Sequence, residues 1–146
     1  MRILATLAFL FSAQAFACPQ LSGNFTCTYQ DGTSEVVAIS QSADKAGVVT
    51  YLYNGSEVPA DNVTYDIPDD QDIKGGKFRA WCDDDITLKS EMTGKYWNNG
   101  SYFGDLVMNI SFEMEGTSLK QTTTGSVVNS GGTYPLDNTM VCTSTP

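Results

Sequence analysis

The sequence predicts an all-β domain in which antiparallel strands follow one another as a meander, most simply an up-and-down β-barrel of about eight strands. Apolar and polar residues alternate with a period of two, and turn-forming residues interrupt the alternation about every eight to twelve positions. No helical periodicity of useful length occurs after residue 17. The alternative is a two-sheet β-sandwich. It needs a longer crossover, and the only plausible one is the polar segment 68–77, which has Gly75-Gly76 near its end and is predicted to be the longest exposed loop.

Four strands are predicted in the first half of the chain. Asp31-Gly32 ends the first strand, and Asn54-Gly55 ends the third with a strong hairpin signal, because both residues tolerate positive φ. Pro68 ends the fourth, since proline cannot donate a hydrogen bond to a sheet. The apolar sets of the four strands are Phe25, Cys27 and Tyr29; Val37 and Ile39; Val49, Tyr51 and Tyr53; and Val63, Tyr65 and Ile67.

The second half contains the clearest alternating face. Thr122, Thr123 and Thr124 favour extended backbone but offer little to bury, which is typical of an edge strand or of a wall that lines a polar space. A hairpin turn is expected at Asn99-Gly100. The apolar sets are Phe78, Ala80 and Cys82; Ile86 and Leu88; Tyr96-Trp97; Tyr102-Phe103; Leu106, Met108, Ile110 and Phe112; Leu119 to Val128; and Met140 with Cys142.

Residues 1–17 have the pattern of a secretory signal peptide. Arg2 precedes a short apolar run, and alanines near the end of the segment meet the requirement for small side chains at the cleavage site. Cleavage after Ala17 leaves one domain of residues 18–146, secreted to the periplasm or the cell exterior. A transmembrane anchor is disfavoured, because the run is about half the roughly 20 residues that span a bilayer. A lipid-modified Cys18 is disfavoured by the bulky Phe16.

The mature chain is strongly acidic. The full sequence has 8 Lys+Arg and 17 Asp+Glu, and loss of Arg2 leaves 7 against 17, a formal charge of −10. Such a surface is repelled by nucleic-acid phosphates and by anionic membranes, so neither nucleic acid nor stable membrane insertion is expected. The partners that remain are a small apolar or neutral molecule and a partner protein.

Four cysteines follow the predicted cleavage site, and an even number in an exported chain indicates two disulfides. Their wide spacing and the absence of histidine do not resemble a zinc site. Three pairings are possible. Because the first and last strands of a closed barrel are adjacent, we expect Cys27–Cys142, which leaves Cys18–Cys82.

No catalytic motif and no cofactor motif is present. The absence of histidine excludes Ser-His-Asp and Cys-His nucleophile systems, so we do not expect an enzyme. The acidic clusters offer Asp70, Asp72, Asp83 and Asp85 as weak calcium candidates, because hard cations prefer oxygen ligands that converge on a turn. A solvated acidic loop is the favoured interpretation, and no metal is predicted.

Four aromatic residues flank the Asn99-Gly100 turn and form the candidate ligand-binding set. Tyr96, Trp97, Tyr102 and Phe103 cannot all face the core if side chains alternate along both strands. Aromatic hairpins present large apolar area at low entropy cost, and they bind ligands or partner proteins. Cross-strand aromatic pairs also stabilise hairpins without any binding role.

The segment Leu21-Ser22-Gly23-Asn24-Phe25 resembles the first strand of lipocalins and related calycin barrels, which have Gly-x-Trp where this chain has Gly-x-Phe. The resemblance also covers the meander and the closing strand at Cys142, whereas the family's Thr-Asp-Tyr loop motif and its Arg near the end of the chain are missing. It implies an eight-stranded barrel with a cavity for a small apolar ligand. We therefore expect a non-enzymatic binding protein, with a protein-interaction or inhibitor module as the alternative.

Overall fold

The computed structural model describes residues 18–145 and shows ten antiparallel strands in one sheet. The predicted all-β class is confirmed, with ten strands rather than about eight; the predicted signal peptide lies outside the described residues. The strands are β1 (Gly23–Thr28), β2 (Ser34–Ala43), β3 (Val49–Tyr53), β4 (Ser56–Pro59), β5 (Tyr65–Ile67), β6 (Ile73–Cys82), β7 (Thr87–Asn98), β8 (Ser101–Glu115), β9 (Ser118–Asn129) and β10 (Gly132–Ser144).

The sheet is an up-and-down meander that curls into a half-barrel. Its order is β4-β3-β2-β1-β10-β9-β8-β7-β6-β5, so all but one of the strand pairs join sequence neighbours, and β1 also pairs with β10. This β1–β10 pair joins the two ends of the chain, and the single break in the circle falls between β4 and β5. No segment among the described residues makes the long crossover that a sandwich needs.

Residues near the break bring its two sides together. Asp61 forms a β-bridge with Trp81 of β6, and the backbone N–H of Asn62 donates to the carbonyl of Ala80 at 2.8 Å. The Cys18–Cys82 disulfide ties the segment before β1 to the end of β6. These contacts connect the parts of the half-barrel on either side of the break between the short strands β4 and β5.

The second disulfide, Cys27–Cys142, joins β1 to β10 at directly paired positions. Both half-cystines are completely buried. Two disulfides and both predicted pairings are therefore confirmed.

The core lies on the concave face of the sheet. Leu21, Phe25 and Tyr51 are each at most 2% exposed, and the hydroxyl of Tyr51 donates to the carbonyl of Pro19 at 2.7 Å. The ring of Phe25 folds back over Gly23, where an added Cβ would lie 3.0 Å from its Cζ atom. The other buried apolar residues of this core are Cys27, Val37, Ile39, Ala80, Leu88, Leu119, Met140 and Cys142.

Two parts of the predicted strand arrangement are wrong. Residues 68–77 are not one exposed loop, because β6 already begins at Ile73; Gly75-Gly76 forms a β-bulge within that strand instead of a turn. Gly75 has φ +58°, the left-handed conformation that a bulge of this type uses. β4 was missed, since its sequence Ser-Glu-Val-Pro shows no alternation. The predicted hairpin turns at Asn54-Gly55 and Asn99-Gly100 are confirmed, with positive φ at all four residues.

Candidate functional site

A half-open cavity of about 210 Å³ lies inside the half-barrel, between β2–β4 on one side and β6–β9 on the other. The two walls belong to strands that lie far apart in the order of the sheet, so the curvature of the half-barrel brings them to face each other. The lining residues are Leu21, Ile39, Tyr51, Tyr53, Ser56, Val58, Phe78, Leu88, Ser90, Ile110, Phe112 and Gln121.

The wall of this cavity is apolar and uncharged. Among the described residues, no Asp, Glu, Lys or Arg lines it, and the polar side chains are two serines, one glutamine and two tyrosine hydroxyls. Ser90 is 4% exposed and points into the cavity from the centre of β7. A charged ligand would therefore lose its hydration without gaining a counter-charge, so the cavity favours neutral molecules.

Two tyrosines form the wall contributed by β3. The Tyr53 hydroxyl donates to Oε1 of Gln121 at 3.4 Å, and its ring centroid lies 5.6 Å from that of Phe112 on β8. Burial raises the pKa of both Tyr51 and Tyr53 to about 12. Both phenols are thus neutral at physiological pH, and they leave the cavity without a titrating group.

The four aromatic candidates lie on two different faces of the sheet. A β-bulge between β7 and β8 places Tyr96 opposite Gly104 and Trp97 opposite Tyr102. The Tyr96 and Phe103 rings are 5.9 Å apart, and Phe103 is 5.1 Å from Tyr134; all three share the concave face. The four side chains therefore do not share one face of the sheet, although Tyr102 and Phe103 both line the groove at this end of it.

Trp97 and Tyr102 pack together on the convex face, with ring centroids 6.1 Å apart. The ammonium groups of Lys74 and Lys95 lie 5.5 Å and 5.6 Å from the Trp97 and Tyr102 ring centroids, respectively. The Tyr102 hydroxyl donates to Asp105 at 2.9 Å, a bond that raises the tyrosine pKa. The indole N–H of Trp97 is buried without a hydrogen-bond partner in the described part of the chain.

A broad open groove of about 740 Å³ lies at this end of the sheet, beside the β9–β10 turn. Tyr102 and Tyr134 are 47% and 44% exposed there, next to the exposed Val128. Asn129 holds the turn, because its amide donates to the carbonyl of Phe103 and its Oδ1 accepts from the N–H of Gly131. The groove thus has a hydrogen-bonded turn at its base and exposed tyrosine rings at its edges.

Of the four acidic calcium candidates, Asp70 and Asp83 are engaged by neighbouring groups, whereas the side chains of Asp72 and Asp85 make no hydrogen bond or ion pair within the described part of the chain. Oδ1 of Asp70 accepts from the backbone N–H groups of Asp72 and Ile73, and the bond from Ile73 does most to lower the Asp70 pKa. Asp83 forms an ion pair with Lys89 at 2.7 Å. Within residues 18–145, no group of three or more His, Cys, Asp or Glu side chains is arranged to hold a metal ion.

The Sγ atom of Cys18 is used in a disulfide, so it is not available for the thioether bond of a lipid anchor. Among the described residues there is no helix with the length and apolarity needed to cross a bilayer. Two disulfides in a small domain are compatible with an oxidising compartment.

No protein family, curated protein or solved structure shows significant similarity to this chain. Its function must therefore be inferred from its cavities and surfaces. Seven of the lining residues belong to the apolar sets that alternation identified in the sequence: Ile39, Tyr51, Tyr53, Phe78, Leu88, Ile110 and Phe112. Alternation did not identify Leu21, Ser56, Val58, Ser90 or Gln121, and only the register between strands brings the two groups together.

Proposed function

We propose that this chain is an exported, non-enzymatic binding protein that holds one small, neutral, apolar molecule in the cavity between β2–β4 and β6–β9. The observation that carries the proposal is the 210 Å³ cavity with an apolar, uncharged wall. The two disulfides support a location in the periplasm or outside the cell. The lipocalin resemblance at Gly23-x-Phe25 implies the same class of ligand.

The volume of the cavity limits the size of the ligand. A dry apolar cavity of about 150 Å³ binds benzene, so 210 Å³ fits a molecule slightly larger than one aromatic ring. Pockets for drug-sized ligands typically measure about 300–1,000 Å³. Multi-ring compounds therefore exceed the space, and a longer alkyl chain would leave its end projecting through the open side.

A series of straight-chain 1-alkanols tests the proposal by calorimetry. Each buried methylene contributes about 0.8 kcal/mol, so affinity should rise about fourfold per carbon until the chain outgrows the cavity, and should then level off. Absence of binding across the series would contradict the proposal. A rise that continues unbroken to decanol would also contradict it, because it would indicate a site without an end wall.

Ser90→Leu provides the matched variant, since the larger side chain would occupy part of the cavity. We expect it to weaken alkanol binding about tenfold or more while leaving the fold intact. Ser40→Leu makes the same chemical change at an exposed position on the convex face of β2 and should leave affinity unchanged. Equal effects of the two variants would show that binding occurs elsewhere.

A partner protein is the second candidate, favoured by the exposed rims of the 740 Å³ groove. Tyr102 and Tyr134 provide aromatic surface of the kind that dominates protein interfaces. Cross-linking in the native compartment should then yield one stoichiometric partner that Tyr102→Ser/Tyr134→Ser loses and Ser90→Leu retains. Recovery of no stoichiometric partner, or equal loss with Ser90→Leu, would exclude this function of the groove.

A further inference from the structure

A groove of about 190 Å³ in which most lining residues have polar side chains lies on the convex face of β6–β9, on the other side of the sheet from the apolar cavity. Trp81 stands at one end of it, on the strand that also carries the buried Ala80. Its lining includes Ser90 and Ile110, which also line the apolar cavity. The side chains that belong to the convex face are those of Trp81, Lys89, Asn109, Ser111, Thr122 and Thr124.

Strand register places these residues in two rows across the sheet. Trp81 pairs with Lys89, Lys89 with Ser111, and Ser111 with Thr122, so the first row crosses four strands. Asn109 pairs with Thr124 in the second row. Neighbouring strands are about 4.8 Å apart, so each row presents polar groups at a regular, fixed spacing beside an indole ring.

The charges around the groove are compensated. The Lys89 ammonium lies 2.7 Å from Oδ2 of Asp83. The Arg79 guanidinium, which does not line the groove, lies 5.0 Å from the centroid of the Trp81 ring, and its Nε is 3.4 Å from Oε1 of Glu91. A neutral ligand is therefore better matched to this groove than an anion.

The amide and hydroxyl groups of the groove are available to a ligand. Within the described chain, none of the side-chain hydrogen bonds uses Asn109, Ser111, Thr122 or Thr124, whereas Asp84, close to Trp81 in the chain, accepts a hydrogen bond from the N–H of Ile86. These four side chains together provide both donors and acceptors. β9 lies between β8 and β10, so an edge position does not account for its threonines.

We infer that this groove binds a neutral saccharide. A pyranose ring has an apolar face of C–H groups, which packs on an aromatic ring, and a rim of hydroxyls in fixed directions, which exchange hydrogen bonds with amides and hydroxyls. Trp81 provides the first contact, and the rows of Asn109, Ser111, Thr122 and Thr124 provide the second. Only Ser90 and Ile110 line both this groove and the apolar cavity, so each proposal has its own set of contacts and its own test.

Calorimetry with four neutral hexasaccharides tests the inference: β-1,4-glucose, β-1,4-N-acetylglucosamine, β-1,3-glucose and α-1,4-glucose. At least one should bind, with amide NMR shifts concentrated at Trp81, Ser111 and Thr122. Trp81→Ala should weaken binding about tenfold through loss of the aromatic contact. Thr122→Val keeps the shape of the side chain but removes its hydroxyl, and it should weaken saccharide binding several-fold. This variant still tests the site if Trp81→Ala does not fold.

Two control variants locate the site. Trp97→Ala removes the other tryptophan on the convex face, and Val58→Phe fills part of the apolar cavity from β4, which does not line the groove; neither should change saccharide affinity. Binding of none of the four hexasaccharides at millimolar concentration would overturn the inference. So would shifts that map away from the groove, or an affinity that Trp81→Ala and Thr122→Val leave unchanged.

Discussion

Replacing Cys18 and Cys82 together by alanine removes the cross-link that spans the break between β4 and β5. The bridge joins residues separated by 64 positions. The chain-entropy relation for a loop of that length gives a loss of about 4 kcal/mol in the free energy of unfolding at 25 °C. Both half-cystines are only partly buried, so the added loss of packing is small.

Replacing Cys27 and Cys142 together should cost more. Their separation of 115 residues gives about 5 kcal/mol from chain entropy. Both side chains are 0% exposed, so truncation to alanine also leaves unfilled space in the core and adds about 1 kcal/mol. Since small domains are stable by only about 5–15 kcal/mol, this variant should be close to unfolding at 37 °C.

Urea titrations followed by tryptophan fluorescence measure both losses against the unmodified protein. The expected order is the Cys27/Cys142 variant below the Cys18/Cys82 variant, with each clearly below the parent. A loss under about 1 kcal/mol for either variant would refute the assignment of that bridge as a constraint on the unfolded chain. A reversed order would show that the break near β4 depends on its disulfide more than loop length and burial indicate.

Three further outcomes follow from individual residues. Gly125→Ala should lower the free energy of unfolding by about 3 kcal/mol in urea titrations, because its Cβ would overlap the carbonyl oxygen of Val107 at φ +153°. Gly47→Ala, at φ +85° in open space, should cost only about 1 kcal/mol; equal losses would contradict the steric explanation. Free tyrosine ionises near pH 10, whereas burial holds the pKa of Tyr51 and Tyr53 at about 12. The unfolded chain therefore loses protons that the folded chain keeps, so the melting temperature should be unaffected by these groups below about pH 10 and fall as pH rises toward 12. A Tyr51→Phe/Tyr53→Phe variant should fall less over that interval, and a parallel fall would exclude these phenols as the cause. Asp66→Asn should leave the midpoint of urea unfolding nearly unchanged, because the ion pair of Asp66 with Lys77 is exposed, with side-chain exposure of 87% and 57%, respectively; a clear downward shift of the midpoint would show that this surface pair contributes more than exposed pairs usually do.

The features that the sequence predicted correctly are local, or they follow directly from local features. The hairpins at Asn54-Gly55 and Asn99-Gly100 need only two residues that tolerate positive φ. The meander follows from short connections, and the Cys27–Cys142 pairing follows from the adjacency of first and last strands in such a meander. None of these requires knowledge of side-chain packing between distant strands.

The features that the sequence did not predict depend on irregularities and on register. Gly75-Gly76 has the composition of a turn, and only pairing on both sides of it makes it a bulge. A regular two-residue hairpin at Asn99-Gly100 would pair Gly94 with Asp105, whereas the bulge beyond Tyr96 pairs Gly94 with Leu106, so the turn alone could not fix the register of β8. The apolar cavity is formed by residues from many separate strands, and its size depends on how far β2–β4 curl over β6–β9.

Methyl NMR of the protein saturated with toluene, a ligand slightly larger than benzene, tests the central proposal most directly. Toluene in the cavity between β2–β4 and β6–β9 should shift the methyl signals of Leu21, Ile39, Val58, Leu88 and Ile110, and should show nuclear Overhauser contacts to them. The exposed methyl groups of Val36 and Val141 on the convex face should not move. Shifts confined to the Tyr102–Tyr134 groove, or no shifts at saturation, would contradict the assignment of this cavity as the ligand site.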